Sequence, residues 1–280
     1  MRCSPIAPVL FAALLWGCGR ATAAESVLSR YSFEAASFTQ WKLPKRLKEI
    51  SALALDDDGR LFALEDEHAI VYQIDYGDGG LRKAFALGEP TLRGDFEGIA
   101  IVADAFYLLT SDGTLFRAPE GRDGEHVAFE RIATGLAPYC EFEGLALDAD
   151  SANLLLACKR SRRAVDSARR WIFRFSTHAQ RIVSPAISVD VSRVAAWLHS
   201  KSFEPSGIDV VDGHLLLVAA RQRALVETDA NGALVAALPL PLAKRHHQPE
   251  GIAVARDGRI IIADEGGNGR ARLGVYRPNE

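Results

Sequence analysis

Two scarcities in this sequence exclude two kinds of protein. After residue 24, no apolar run reaches the roughly 20 residues that a transmembrane helix needs. The 33 Lys and Arg side chains are outnumbered by 36 Asp and Glu side chains, for a formal net charge of −3. The overall excess of positive charge that marks a nucleic-acid-binding protein is therefore missing. We expect no membrane-spanning helix and no nucleic-acid partner.

Cysteine is also scarce. Of four cysteines, Cys3 and Cys18 lie near the N-terminus, which leaves Cys140 and Cys158. If the strand at 142–148 turns back on itself, Cys158 faces Glu143, about three positions away from Cys140. That register disfavours a disulfide unless the strand bulges, so both a disulfide and two buried free thiols remain open.

Residues 1–24 read as a signal peptide. Arg2 supplies a positive start, residues 6–16 are apolar, and Ala21-Thr22-Ala23 is a small-residue cleavage site. We expect a periplasmic or secreted protein. In the alternative, residues 15–18 form a lipobox and Cys18 anchors the chain in the cell envelope as a lipoprotein.

The rest of the chain, 25–280, is expected to be one domain, because one short motif recurs five times. The motif is a polar residue followed by Gly or Ala and an apolar strand, as in residues 140–148 (CEFEGLALD). Its small residues recur at intervals of about 46, 46, 63 and 44, which is the spacing of propeller blades. They are Ala52, Gly98, Gly144, Gly207 and Gly251.

We therefore predict an all-β fold, a five-bladed β-propeller of four-stranded blades, rather than a six-bladed one. The fifth repeat ends one strand short, which would leave an open sheet edge. The segment 31–43 is the candidate to supply that outer strand and close the ring. In the second repeat, the fourth strand is predicted at 127–132.

An insertion at about 159–202 lengthens the third repeat. It holds a basic loop, residues 159–170, and a helical stretch, residues 191–200, that Asp190 or Ser192 would cap. The loop is interpreted either as a solvated charged excursion or as a surface for anions, including anionic headgroups.

The first strand of a propeller blade lines the central channel, so the polar residues that open these strands converge at one mouth. The equivalent positions are Ser51, Glu97, Glu143, Ser206 and Glu250. Two residues earlier are Glu49, Asp95, Glu141, Glu204 and Gln248. Crowded carboxylates repel one another unless they are protonated or a cation neutralises them. A set of oxygen ligands without His or Cys is typical of calcium. The predicted metal ligands are Glu97, Glu143, Glu250, Glu141 and Asp95. His246 and His247 precede the last motif, and we interpret them as solvated.

Two alternatives stay open for the recurring acids: a metal or ligand site, or structural carboxylates that accept backbone N–H bonds from the neighbouring blade. The ends of the second strands should rim the same mouth. They provide Lys159, Arg160, Arg221 and Glu265, which we predict to bind a small anionic ligand.

The phrases FEGIAI, FEGLALD, EPSGIDV and QPEGIAVARDGRIIIADE resemble the SdiA-regulated family of exported bacterial β-propellers, over about residues 43–278. The resemblance implies an envelope propeller linked to calcium, with phytase-like activity suspected. It points to Glu97, Glu143 and Glu250, with Lys159 and Glu265 on the rim. Ser51-Ala52 and Ser206-Gly207 depart from the Glu-Gly pattern, and propeller phytases have six blades and more acids.

The expected function is binding of calcium and a small anion at the channel mouth by a monomer. An enzymatic version would be a metal-dependent phosphoesterase-like or lactonase-like hydrolase. The alternative is a non-catalytic interaction or scaffold propeller with an envelope protein as its partner.

Overall fold

The fold follows from the five recurring motifs, each of which begins an inner strand. The computed structural model describes residues 25–240 and 245–279. The predicted signal peptide and lipobox lie outside these residues. Five antiparallel sheets form a ring, so the predicted five-bladed β-propeller is confirmed.

Blades one to three follow one another along the chain, with each inner strand first. Strand β1 (Phe38–Lys42) precedes them. Blade one contains β2 (Ile50–Leu55), β3 (Leu61–Glu65), β4 (Ile70–Asp75) and β5 (Gly80–Leu87). Blade two contains β6 (Phe96–Val102), β7 (Ala105–Thr110), β8 (Thr114–Pro119) and, after β9 (His126–Val127), β10 (Glu130–Ala133). Blade three contains β11 (Cys140–Asp148), β12 (Asn153–Ser161), β13 (Arg169–Ser176) and β14 (Arg181–Asp190).

Helix α1 (Val191–Trp197) separates blades three and four. Blade four contains β15 (Gly207–Val211), β16 (His214–Ala219), β17 (Ala224–Asp229) and β18 (Leu234–Pro239). Blade five contains β19 (Pro249–Val254), β20 (Ile260–Asp264) and β21 (Arg272–Tyr276). Short 3-10 turns cover Val27–Arg30, Ala35–Ser37, Lys45–Leu47 and Ala164–Asp166. None of the described helices has the length and apolarity to cross a membrane.

The N-terminal segment closes the ring, as predicted. Strand β1 pairs antiparallel with β21 and becomes the outer strand of blade five. The segment before it is fastened to blade four by the fully buried carboxylate of Glu227. This carboxylate accepts hydrogen bonds from Ser26 Oγ at 2.6 Å and from the backbone N–H groups of Val27 and Leu28 at 2.8 and 3.0 Å, and His214 Nδ1 lies 2.6 Å from it. The pairing of β1 with β21 covers the sheet edge that blade five would otherwise expose.

The hydrophobic core lies between the blades. Each pair of neighbouring blades shares one cluster of buried side chains. For example, Phe62 of blade one meets Phe106 of blade two edge to face, with ring centroids 4.9 Å apart. Because each blade buries both of its faces against neighbours, every blade is fully covered only when the ring is closed.

The fourth strand predicted at 127–132 in the second repeat is confirmed only for its second half, as β10 (Glu130–Ala133). Val127 belongs to β9, which runs parallel to β5 of blade one, and the strand that pairs with β8 is β10. Backbone N–H groups of Gly124, Ala86 and Gly88 make the bonds along this contact. The segment therefore protects the outer edge of blade one before it completes blade two.

The register expected for the third repeat is also wrong, and the disulfide forms. Cys158 faces Phe142 rather than Glu143, and β11 is irregular between Glu141 and Leu145. This bulge brings the Cα atoms of Cys140 and Cys158 to 5.6 Å, and the two sulfurs are bonded. Sequence spacing alone does not reveal the bulge that makes the bond possible.

The insertion in the third repeat is partly strand. Strand β12 extends to Ser161 and β14 begins at Arg181, so both are longer than the sequence suggests. The predicted cap of the short helix is confirmed, since the Asp190 carboxylate accepts hydrogen bonds from the N–H groups of Ser192 and Arg193.

Candidate functional site: the upper mouth of the channel

The inner strands β2, β6, β11, β15 and β19 all begin at one end of the central channel, which we call the upper mouth. Ser51, Glu97, Ser206 and Glu250 line one small cavity there, and Glu143 is buried beside it. The cavity holds only about 10 Å³, which is space for about one water molecule. We call Glu97, Glu143 and Glu250 the carboxylate ring.

Glycine follows each ring carboxylate because the inner strands approach one another closely. A Cβ atom on Gly98 would lie 2.9 Å from the backbone nitrogen of Leu145 in the next blade, and one on Gly251 would lie 3.0 Å from the backbone nitrogen of Leu53. A larger residue would push the inner strands apart.

The channel is closed below the ring. Leu53, Leu145 and Ile208 line both the ring cavity and a separate cavity at the opposite mouth. All three are at most 4% exposed, so these aliphatic side chains separate the two cavities. A ligand that reaches the ring must come from the upper mouth.

Lys159 is the counterion of the ring. Strand β12 brings its ammonium group into a charge-assisted hydrogen bond with the carboxylate of Glu143. Burial opposes the charge on Lys159, yet this hydrogen bond raises the pKa of the ammonium group. The only cation bonded directly to a ring carboxylate, among the residues the structure describes, is therefore a lysine.

The three ring carboxyls hold their protons far more tightly than an ordinary glutamate. Burial, together with repulsion from Glu143, Asp95 and Glu250, raises the pKa of Glu97 to about 9. Burial and repulsion from Glu143 raise the pKa of Glu250 to about 8. Burial raises the pKa of Glu143 to about 7, although Lys159 acts in the opposite direction. Near neutral pH, Glu97 and Glu250 are therefore mostly neutral.

A larger pocket of about 440 Å³ opens beside the ring, between blades three, four and five. We call it the anion pocket. Its volume lies in the range of small-molecule sites. The charged side chains that line it are Lys159, Arg160, Arg221, Arg223, Glu204 and Glu250.

Positive charge dominates the anion pocket. Arg160 pairs with Glu141 at 3.0 Å, and Arg221 pairs with Glu204 at 3.4 Å. The Arg221 side chain is 68% exposed, so its ion pair is weak and free to exchange partners. Within the described part of the chain, the guanidinium group of Arg223 has no ion-pair partner.

The structure thus brings three of the four predicted anion-binding residues into one pocket. Glu265 lies outside it, in a neighbouring cavity of about 300 Å³ beside the loop of residues 266–269. The amide of Gln248 donates to Glu265, and Gln248 lines both cavities.

The five predicted metal ligands are less closely assembled. Asp95 is exposed and accepts a hydrogen bond from Ser111 Oγ, while Glu141 is paired with Arg160. Carboxylate oxygens suit calcium chemically. However, in residues 25–240 and 245–279 no three His, Cys, Asp or Glu side chains are grouped so that they could hold a metal ion. As arranged here, with Lys159 on Glu143, the acids do not fit a calcium ion.

The ring carboxylates do not hold neighbouring blades together either. Among the described residues, none of the ring carboxylates accepts a backbone N–H bond from a neighbouring blade. Blades four and five are joined instead by Asp209, whose carboxylate accepts from Val254 N at 2.6 Å, and by Ser206, whose Oγ donates to the carbonyl of Pro249 at 2.7 Å. Asp209 occupies the position at which the other four repeats have alanine. This difference between the repeats could have identified Asp209 from the sequence.

The prediction that His246 is solvated is wrong. It is fully buried, with Nδ1 2.7 Å from Asp264 Oδ2 and Nε2 2.8 Å from Tyr276 Oη. These partners lie 18 and 30 residues along the chain, so only the topology of blade five reveals them. His247 is exposed and lines the anion pocket. Arg223 and Glu204 are further pocket residues that sequence reasoning did not assign to the ligand.

Comparison with solved structures finds similar propeller chains at low identity. The glutaminyl cyclase of Myxococcus xanthus has a TM-score of 0.58 and 16% identity, over 85% of this chain and 94% of that one. A luciferin-regenerating enzyme has a TM-score of 0.54 and 9% identity, over 86% and 95% of the two chains. The PQQ-bound aldose sugar dehydrogenase of Streptomyces coelicolor has a TM-score of 0.51 and 14% identity, over 86% and 98%. At these identities the likeness shows the fold alone.

No curated protein sequence matches this chain significantly. The family profile described as SdiA-regulated does match it, over residues 39–269. This range begins in the ring-closing strand β1 and includes the carboxylate ring and the whole anion pocket. The chain belongs to the SdiA-regulated family.

Proposed function

We propose that this propeller binds a small anionic molecule in the anion pocket at its upper mouth. The observation that carries the proposal is the convergence of Lys159, Arg160, Arg221 and Arg223 on one pocket. Arginine binds carboxylate and phosphate groups through two parallel hydrogen bonds, which gives both affinity and orientation. An exported protein of the cell envelope would meet such anions outside the cytoplasm.

Calorimetric titration tests this proposal with inorganic phosphate, a phosphate monoester and a hydroxycarboxylate as probes. The double variant Arg221→Gln/Arg223→Gln should weaken binding of the preferred anion about tenfold or more, because two of four cationic partners are lost. The control is Arg122→Gln, whose side chain is 91% exposed and outside the pocket. If no anion binds up to tens of millimolar, the pocket is not a small-molecule site, and a non-catalytic interaction propeller is the better description.

A hydrolase is the second candidate function, and Glu250 favours it. This side chain lines the anion pocket, and its pKa of about 8 keeps it protonated near neutral pH. A protonated carboxyl beside a bound phosphate ester or lactone is placed to give its proton to the leaving oxygen as the ester P–O or C–O bond breaks and water adds to the phosphorus or carbonyl centre. The resulting carboxylate then takes up the proton that the water releases. Hydrolysis of a p-nitrophenyl phosphate and of a sugar lactone tests this candidate. Activity that Glu250→Gln abolishes supports it, and no turnover of either ester contradicts it.

Calcium binding by Glu97, Glu143, Glu250, Glu141 and Asp95 remains a prediction. It requires Lys159 to release Glu143 and the carboxyls to lose their protons. Thermal unfolding in EDTA and in millimolar calcium measures it, since an ion bound by the native state raises the melting temperature. No shift would leave Lys159 as the counterion of the ring.

A further inference from the structure

Exposed large hydrophobic side chains are few in the described residues, and three of the four lie in segments that precede, interrupt or follow the strands of blade three. They are Tyr139, Val165 and Trp197, which are 42%, 80% and 56% exposed; the fourth is Phe129. Tyr139 precedes β11, Val165 lies in the loop between β12 and β13, and Trp197 ends α1. We call the loop of residues 162–168, Tyr139 and helix α1 the blade-three protrusion.

The protrusion lies on the same face as the upper mouth. Strand β12 runs toward that face, because Lys159 near its end reaches the ring, and the loop follows directly. Strand β14 runs parallel in direction to β12, since each pairs antiparallel with β13. It therefore delivers α1 to the same face. The chain then returns to Ser206 at the mouth.

Hydrogen bonds and a cation–π contact join the three parts of the protrusion. The N–H group of Arg162 donates to the carbonyl of Tyr139 at 2.8 Å, and the guanidinium of Arg163 lies 5.6 Å from the centre of the Tyr139 ring. The N–H group of Val191, the first residue of α1, donates to the carbonyl of Ala168 at 3.1 Å. A buried arginine, Arg170, fixes the base of the loop.

Arg170 is 6% exposed. Its Nε donates to the carbonyl of Phe203 at 2.7 Å and its Nη1 to that of Ser167 at 3.1 Å. The loop is thus held in place by backbone partners on both sides. Val165, in the middle of this loop, is 80% exposed.

The charge of this surface is opposite to that of the whole chain. The loop of residues 162–168 and helix α1 together contain three cationic side chains, Arg162, Arg163 and Arg193, and a single carboxylate, Asp166, although the formal net charge of the protein is −3. Arg162, Arg163, Arg169 and, in α1, Arg193 are exposed. Arg163 and Arg169 have ion pairs at 3.6 and 3.5 Å, while no ion pair of Arg162 or Arg193 is found in the part of the chain described.

We propose that the blade-three protrusion docks on an anionic lipid bilayer, with its arginines on the phosphate headgroups and Val165 and Trp197 entering the interface. Tryptophan prefers the boundary between headgroups and acyl chains. Basic side chains beside exposed apolar ones are the composition of peripheral membrane anchors. A phosphate polymer such as a nucleic acid would use the arginines alone and leave Val165 without a partner.

Co-sedimentation with vesicles tests the proposal. The wild-type sequence and all variants carry Cys18→Ser, so that the predicted lipid anchor does not contribute to binding. All of these proteins begin at the same residue. Vesicles of phosphatidylglycerol and phosphatidylethanolamine should bind it at low salt, and vesicles of phosphatidylcholine should not. Binding should fall steeply toward 0.5 M salt because exposed charges are screened.

Two variants separate charge from insertion. Arg162→Gln/Arg163→Gln should weaken binding to the anionic vesicles about 25-fold, at roughly fivefold for each arginine. Val165→Asp should weaken it comparably, since a carboxylate would have to enter the headgroup layer. The matched control Arg122→Gln/Arg181→Gln removes two exposed arginines outside the protrusion and should leave binding unchanged.

Equal binding to phosphatidylcholine vesicles, or an equal loss in the control, would overturn the proposal. So would the absence of binding to any vesicle by a protein whose melting temperature is normal. If a protein partner were found to need the same arginines while vesicles were ignored, the protrusion would be a protein-docking surface and not a membrane contact.

Discussion

Replacing Glu97 by glutamine should stabilise this protein at alkaline pH and change its stability by less than about 1 kcal/mol at pH 5. Glu97 has a pKa of about 9 in the folded protein, because it is buried and lies near other carboxylates. In the unfolded chain the pKa returns to its ordinary value of about 4.5. Between these two values the unfolded chain releases a proton that the folded protein keeps. Stability therefore falls as pH rises through this window.

The size of the effect follows from the width of the window. Each pH unit within it costs about 1.4 kcal/mol. The interval from the ordinary pKa to pH 8 is about 3.5 units, so the cost approaches about 5 kcal/mol as an upper limit, which relaxation and solvent reduce. Glutamine has the shape of the protonated acid and cannot ionise. Glu97→Gln should thus raise the free energy of unfolding at pH 8 by about 2–4 kcal/mol, or the melting temperature by about 5–10 °C.

Thermal unfolding in EDTA at several values between pH 5 and pH 9 is the assay. Glu89→Gln serves as the control, because Glu89 is exposed to solvent and lies outside the mouth. A Glu97→Gln protein that is no more stable than the wild type at pH 8 would refute the argument. It would mean that Glu97 is ionised and stabilised in the folded state, as a bound cation would do.

Three other perturbations have defined outcomes. Cys140→Ala/Cys158→Ala should lower the free energy of unfolding in urea by about 3 kcal/mol, given a separation of 18 residues; an unchanged midpoint would contradict this. Glu227→Gln should cost about 2–3 kcal/mol and expose the N-terminal segment to proteolysis, because its buried carboxylate has four partners; resistance equal to that of the wild type would contradict it. Lys159→Met should raise the pKa of Glu143 further and steepen the loss of stability from pH 6 to pH 8; an unchanged pH profile would show that the ammonium group does not neutralise the ring.

The repeats made most of the fold predictable from the sequence. A glycine that permits close approach of inner strands recurs at Gly98, Gly144, Gly207 and Gly251, so it marked the blades directly. The missing last strand then required the N-terminal segment to close the ring. Both inferences depend on local patterns and on the need to cover sheet edges.

Features that depend on contacts between distant segments were not predictable. The bulge in β11 that allows the Cys140–Cys158 bond is a matter of strand register. The edge contact of β9 joins segments of different blades. His246 finds its partners on two later strands. The charged pocket was partly predictable, because the ends of the second strands had to reach the same mouth.

The differences between repeats, rather than their common pattern, decide the chemistry of the mouth. In blade three the residue after Cys158 is Lys159, which neutralises Glu143; in blade two the register Phe96↔Thr110 places Ser111 at the equivalent position beside Glu97. Ser111→Lys should therefore give Glu97 a counterion, lower its pKa and reduce the loss of stability from pH 5 to pH 8. Thermal unfolding over that range measures the change, with Ser111→Met as a control for side-chain bulk. If Ser111→Lys and Ser111→Met had the same pH profile of stability, the residue at this place after the second strand would not set the charge of the ring.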